Sequence, residues 1–185
     1  MFKGLDLAVH AGQVVWLRGA NGRGKTSLLR LLAGLSTPEA GEIHWGSSPR
    51  QLVYIAHANA LKEDLTVLES LRFLARLHGR DESDASLVDA LQRFGMASRR
   101  DAPVRTLSQG QHRRVALSRL AIDTQPSVWI LDEPFDSLDT EGIATLNTLL
   151  TRHAQRGGSV VLTSHQALTL GEPQPVVVQL DEVAV

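Results

Sequence analysis

The chain of 185 residues contains no cysteine, which removes disulfides, thiolate metal sites and cysteine nucleophiles together and suits a cytoplasmic protein. No stretch approaches the ~18 uninterrupted apolar residues that a membrane-crossing helix needs, and the first residues lack the charged-then-apolar pattern of a secretion signal. Any membrane role is therefore expected to be peripheral. Neither charge sign is in surplus: the net charge is -1, so nucleic acid is not expected as the main partner. The pairs Arg99-Arg100 and Arg113-Arg114 read as solvated charges and not as a phosphate-backbone patch. Internal repeats and low-complexity tracts are absent too.

What is present begins with Gly19-Ala-Asn-Gly-Arg-Gly-Lys25-Thr26, a phosphate-binding loop of the form G-x-x-x-x-G-K-[ST]. It follows the apolar run Val14, Val15, Trp16, Leu17 and precedes a helical stretch at 27–35, the strand-loop-helix context that the chemistry requires. Gly19, Ala20, Asn21, Gly22, Arg23 and Gly24 wrap backbone N–H groups around a phosphate, and the helix from Ser27 adds its positive N-terminal end. Lys25 is placed to reach the β- and γ-phosphates, and Thr26 offers its hydroxyl to Mg²⁺. The chain is expected to bind a nucleoside triphosphate.

Leu5, Leu7 and Val9 alternate with polar or small residues, so the chain opens as a half-buried strand of the antiparallel kind. Apolar runs at 52–55, 128–131, 160–162 and 176–178 predict further strands, three of them buried and parallel. Between them the pattern turns helical. Thr66 and Glu69 form a capping box ahead of Leu71, Leu74 and Leu77, and a second helix is expected over 83–94, closed by Gly95. The expected architecture is one domain, 1–185: an α/β nucleotide-binding core at 1–58 and 127–185, with a helical insertion at about 59–126.

Val128-Trp-Ile-Leu-Asp132-Glu133-Pro134 is an apolar strand ending in two carboxylates. Beside a phosphate loop, Asp132 reads as the Mg²⁺-side acid, and Glu133, pointing the other way, as the group that orients or deprotonates water. A solvated turn after an edge strand is the plainer alternative. Leu107-Ser-Gln-Gly-Gln111 is open in the same way. Ser108 and Gln111 could be a simple capping box, with Gln109 between them. Gly110 argues for more, because glycine in a first helical turn costs about 0.5–1 kcal/mol against alanine unless close backbone approach demands it. A serine hydroxyl and free N–H groups at a helix start make a second phosphate site. The two sites meet on one ATP when they come from different subunits of a head-to-tail dimer.

These motifs, with Ser137-Leu-Asp139 and His165 after them, resemble the nucleotide-binding subunits of ABC transporters over essentially the whole chain. The resemblance implies an ABC-type P-loop NTPase fold: a mostly parallel sheet, an N-terminal antiparallel β part and an α-helical subdomain. It further implies that Ser108, Gln109, Gly110 and Gln111 serve the partner subunit's ATP, that Asp139 couples the two sites and that His165 contacts the γ-phosphate. His10, His44, His78, His112 and His153 carry no such implication and read as ordinary hydrogen-bonded histidines. Tyr54-Ile-Ala-His57-Ala, Lys62-Glu-Asp-Leu-Thr66, Glu69-Ser-Leu-Arg-Phe73 and Ser164-His-Gln-Ala-Leu168 are closer still to the ATPase subunit of the haem exporter of cytochrome c maturation (CcmA-type). His57 stands where most ABC ATPases carry a glutamine that reaches Mg²⁺ and the membrane partner, and histidine there brings pH dependence.

By the same resemblance the cofactor is Mg²⁺ with ATP, and the partners are a second copy of the chain and an integral membrane permease (CcmB-like) that docks against about 61–78. The location is the cytoplasmic face of the bacterial inner membrane. The family also carries a strand before the segment aligned with Met1, with an aromatic that stacks on adenine; nothing in the present sequence takes that role. An ABC ATPase serving another cargo is the rival reading, because the motor constrains the cargo poorly. Soluble ABC proteins of DNA repair or translation need a long coiled-coil insertion or two nucleotide-binding halves, and neither pattern is here.

Overall fold

The computed structural model describes residues 4–46 and 51–182. The chain divides into two compact units, one of Met1–Tyr54, Gln125–Glu133 and Leu150–Val185, the other of Ile55–Thr124 and Pro134–Leu149. The second thus takes in Pro134–Leu149, a stretch the sequence had placed with the nucleotide-binding core.

The first unit is built on a five-stranded sheet in the order β2-β3-β4-β1-β5, where β1 is Val14–Arg18, β2 Leu52–Ile55, β3 Val128–Leu131, β4 Ser159–Thr163 and β5 Val176–Gln179. The β1–β4, β1–β5 and β3–β4 ladders are parallel, with Val14 opposite Val160 and Val15 opposite Val176. A parallel strand covered on both faces needs an unbroken apolar run, and β1, β3 and β4 have one. β5 lies at the edge, where Val176 and Val177 stay exposed.

Helix α1 (Lys25–Leu32) buries Leu28 and Leu29 against Val15, Leu17, Ile130, Val161 and Leu180. Each such side chain removed from water stabilises the fold by about 1.5–3 kcal/mol. The helix begins two residues earlier than the periodicity predicts because Lys25 and Thr26, the end of the phosphate loop, are already helical. It stops short of residue 35 because the Gly34 and Leu35 N–H groups bond back to the carbonyls of Leu31 and Arg30, a Schellman closure.

The opening strand is not formed. Leu5, Leu7 and Val9 do turn inward and pack on the core while their neighbours face water, as the alternation requires. No pairing partner lies beside them among the described residues, so the side-chain pattern survives without a ladder and the expected antiparallel β part is missing.

The second unit is helical. It holds α2 (Val67–Leu77), α3 (Asp84–Arg93) and α4 (Gln109–Ala121), which pack on one another, and most of α5 (Thr140–Gln155), which continues into the first unit. The Thr66–Glu69 capping box is present: the Thr66 hydroxyl accepts from the Glu69 N–H at 3.3 Å and Glu69 Oε2 from the Thr66 N–H at 2.9 Å. Ser83 caps α3 through the Ser86 N–H. Buried Val67, Leu71, Leu74, Leu87, Leu91, Val115 and Leu117 lie on the inward stripes of these helices. No helix among the described residues is long and apolar enough to cross a membrane.

Candidate nucleotide site

The phosphate loop leaves β1 at Arg18 and enters α1 at Lys25. Gly24, the residue before the helix, has φ of 84°, a left-handed conformation that L side chains rarely adopt. That turn is what lets the loop fold over the start of the helix. Lys25 Nζ donates to the Gly19 carbonyl at 2.7 Å and the Ala20 carbonyl at 3.2 Å, which holds the ammonium over the loop.

One loop contact was not anticipated. Asp181 accepts from the Ala20 N–H through both carboxylate oxygens, each at 3.1 Å, and pairs with Arg23 Nε at 3.1 Å. The register of β5 on β1 sets Gln179 beside Arg18, so the turn after β5 arrives at the loop, and fully buried Leu180 anchors it there. No spacing rule links residue 181 to residues 19–26; knowing that β5 pairs with β1 is the signal that would have found it.

Asp132 follows β3 and Thr163 ends β4, and the Leu131–Leu162 register places them side by side. Asp132 is only 3% exposed. Its Oδ2 accepts from the Thr26 hydroxyl at 2.8 Å and its Oδ1 from the Thr163 hydroxyl at 2.8 Å. The same Thr163 oxygen accepts from the Glu133 N–H at 2.9 Å. Glu133 turns its carboxylate the other way: Oε2 accepts from the His165 N–H at 3.1 Å, and His165 Nε2 stands 3.4 Å from Oε1. Glu133 has φ of 46°, a conformation costly for a non-glycine residue and held only where its surroundings over-determine it. Nearby, burial first and the charge of Asp132 second hold the Tyr54 hydroxyl above the ordinary phenol range.

The other sequence-derived residues lie in the helical unit. Ser108 and Gln111 form a reciprocal capping box on α4, at 3.0 and 3.3 Å, while Ser108 and Gln109 remain exposed. A Cβ on Gly110 would stand 2.8 Å from the Ser137 carbonyl oxygen, so close backbone approach does demand glycine there, and the approaching chain is this molecule's own. Asp139 accepts from the Gly142 N–H at 2.9 Å and from Arg114. That N–H first, and then Arg114, keep its carboxyl below the usual carboxylate range. His57 is largely exposed, with Nδ1 3.8 Å from Asp136, a neighbour the sequence did not single out. The candidate residues therefore form two groups: Gly19 to Ser27 with Asp132, Glu133 and His165 in the sheet unit, and His57, Ser108 to Gln111 and Asp139 in the helical unit.

The Arg113-Arg114 pair is a correction. Expected in solvent, Arg113 is buried and Arg114 is tied to the Phe94 carbonyl and to Asp139.

The donor set at Thr26 and Asp132 suits Mg²⁺. It consists of one hydroxyl and one carboxylate, hard oxygen groups 2.8 Å apart beside the phosphate loop, and Mg²⁺ characteristically takes one or two protein oxygens while phosphates and waters complete its shell. No cluster of three or more His, Cys, Asp or Glu side chains able to cage a metal occurs among the described residues, so an ion here would lean on the nucleotide.

The family model for ABC transporters matches residues 2–136 of this chain. The chain belongs to the ABC transporter family. As a member it is an ATP-binding subunit and an ATPase. The cytochrome c biogenesis ATP-binding export protein CcmA of Aromatoleum aromaticum is 48% identical to this ABC subunit, over 100% of this chain and 90% of its own length. The protein of the same description from Vibrio cholerae is 43% identical over 94% of this chain and 88% of its own. Among solved structures, a bacterial ABC transporter cassette determined as a dimer superposes with a TM-score of 0.83 at 21% identity, covering 98% of this chain and 88% of that one. That likeness establishes the fold.

Proposed function

We propose that this ABC subunit drives haem export in cytochrome c biogenesis, acting as a homodimer beneath a CcmB-like permease at the cytoplasmic face of the bacterial inner membrane. The observation that carries the reading is the 48% identity with a CcmA export protein along the entire chain. The site supplies the chemistry. Lys25 binds the β- and γ-phosphates, and Thr26 and Asp132 would hold Mg²⁺, which would supply positive charge to offset that of the phosphates. Glu133 orients the attacking water and takes its proton, while His165, hydrogen-bonded to that carboxylate, keeps it in place and reaches the γ-phosphate. Exposed Ser108 with Gly110 and its neighbours presents a helix N-terminus to the ATP of the second copy. Asp139 couples the two sites and His57 modulates the metal side. Closure of the dimer on ATP and its release after hydrolysis work the permease through the helical unit.

The test is made in the source cell. Replacing the chain by its Glu133→Gln variant should abolish covalently attached haem in c-type cytochromes while b-type haem persists, and the tagged chain should co-purify one integral membrane protein. Normal amounts of holocytochrome c in that strain would exclude haem export as its task.

A further inference from the structure

We propose that Arg113, on α4, is a positioning residue for ATP hydrolysis, acting on the backbone that follows Glu133 and on the segment that flanks His57. The inference rests on the reading that Glu133 and His57 act in hydrolysis. Arg113 is 3% exposed, the position of a core side chain, although it carries a full charge. A guanidinium removed from water needs hydrogen-bond acceptors, and two separated segments supply three of them. Nε donates to the Pro134 carbonyl at 3.3 Å, while one terminal nitrogen donates to the Ala56 carbonyl at 3.0 Å and to Asn59 Oδ1 at 3.0 Å.

The identities of the acceptors decide what the residue does. Pro134 is bonded directly to Glu133, whose left-handed φ of 46° has to be held from outside. In the sheet unit the Thr163 hydroxyl holds the Glu133 N–H and His165 holds its carboxylate; in the helical unit Arg113 holds the carbonyl of Pro134, the next residue of the chain. Ala56 and Asn59 bracket His57, which is itself largely exposed and whose nearest ionic neighbour, Asp136, is 3.8 Å away. Its segment is tied to Arg113 through the Ala56 carbonyl and the Asn59 side chain. Arg113 begins only two residues after Gln111, so the helix that starts with Ser108 carries on its buried side a fork gripping both segments. Only arginine offers donors in a rigid planar fork; lysine has one rotating ammonium and cannot reproduce it.

The measurement uses the full chain in four forms: wild type, Arg113→Lys, Glu133→Gln and the double variant, each read for kcat, KM and equilibrium ATP affinity. Arg113→Lys should lower kcat by about 10–100-fold, the scale of an ångström-level misplacement, with ATP affinity within about twofold of wild type. In the Glu133→Gln background the same change should cost kcat little, because the group it positions is already gone. An equal loss in both backgrounds would show that Arg113 does not act through Glu133 and would overturn the proposal. So would wild-type kcat in Arg113→Lys, or a loss confined to ATP affinity. Wild-type kcat in Glu133→Gln itself would instead strike the underlying catalytic reading. Should Arg113→Lys not fold, Asn59→Ala removes one acceptor of the fork and is read in the same cycle, with a smaller loss of kcat expected.

Discussion

On the proposed reading Lys25 and Glu133 act on the same nucleotide at different stages, and substitution separates them. Lys25→Ala removes charge-assisted bonds worth about 1.5–3 kcal/mol, so ATP should bind roughly 10–150-fold more weakly in a calorimetric titration. Unchanged affinity would exclude the phosphate-loop assignment. Glu133→Gln should keep ATP affinity and lower phosphate release by about 10²–10⁴. The places of both residues in the fold were legible from the sequence, because a glycine-framed lysine after one strand and two acids at the end of another are local spellings. Thr163 and Asp181 were not legible. They reach the site through the registers of β4 on β3 and β5 on β1, and register is a long-range property. Arg113 was misread for a related reason, since adjacent arginines look solvated until tertiary packing buries one of them.

The helices announce themselves through their ends. Thr66 with Glu69 and Ser108 with Gln111 cap α2 and α4 where the sequence places them, because capping is a contact between residues three apart; Ser83, the start of the expected second helix, is the cap of α3. Strand alternation at Leu5, Leu7 and Val9 is equally visible, yet a strand needs a neighbour and alternation cannot supply one. Gly110 shows local and tertiary demands in opposition. Alanine favours a helix over glycine by about 0.5–1 kcal/mol. At this position the added Cβ would stand 2.8 Å from the Ser137 carbonyl, and relieving such a clash costs typically ~1–3 kcal/mol. The clash should win, with Gly110→Ala melting several degrees below wild type by calorimetry, at about 2–4 °C per kcal/mol for a chain of this size. A higher Tm would mean that α4 and the segment around Ser137 do not approach as described.

At the scale of the whole molecule, the two groups of candidate residues pose one question: whether ATP is held by one chain or by two. Pro134–Leu149, with most of α5, belongs to the helical unit, an assignment that no motif in that stretch announces. On the proposed reading the phosphate loop and the α4 N-terminus each receive phosphate, and a head-to-tail pair of chains would satisfy both with two nucleotides and two equivalent interfaces. Sedimentation of the Glu133→Gln variant with and without MgATP tests this most directly, since hydrolysis no longer dissolves the assembly. Expected are monomer without nucleotide, twice the monomer mass with MgATP, and loss of the dimer when Ser108→Arg is added although ATP still binds. A variant that stays monomeric while saturated with MgATP, or a wild-type monomer that hydrolyses ATP at full rate on dilution, would contradict the head-to-tail pair.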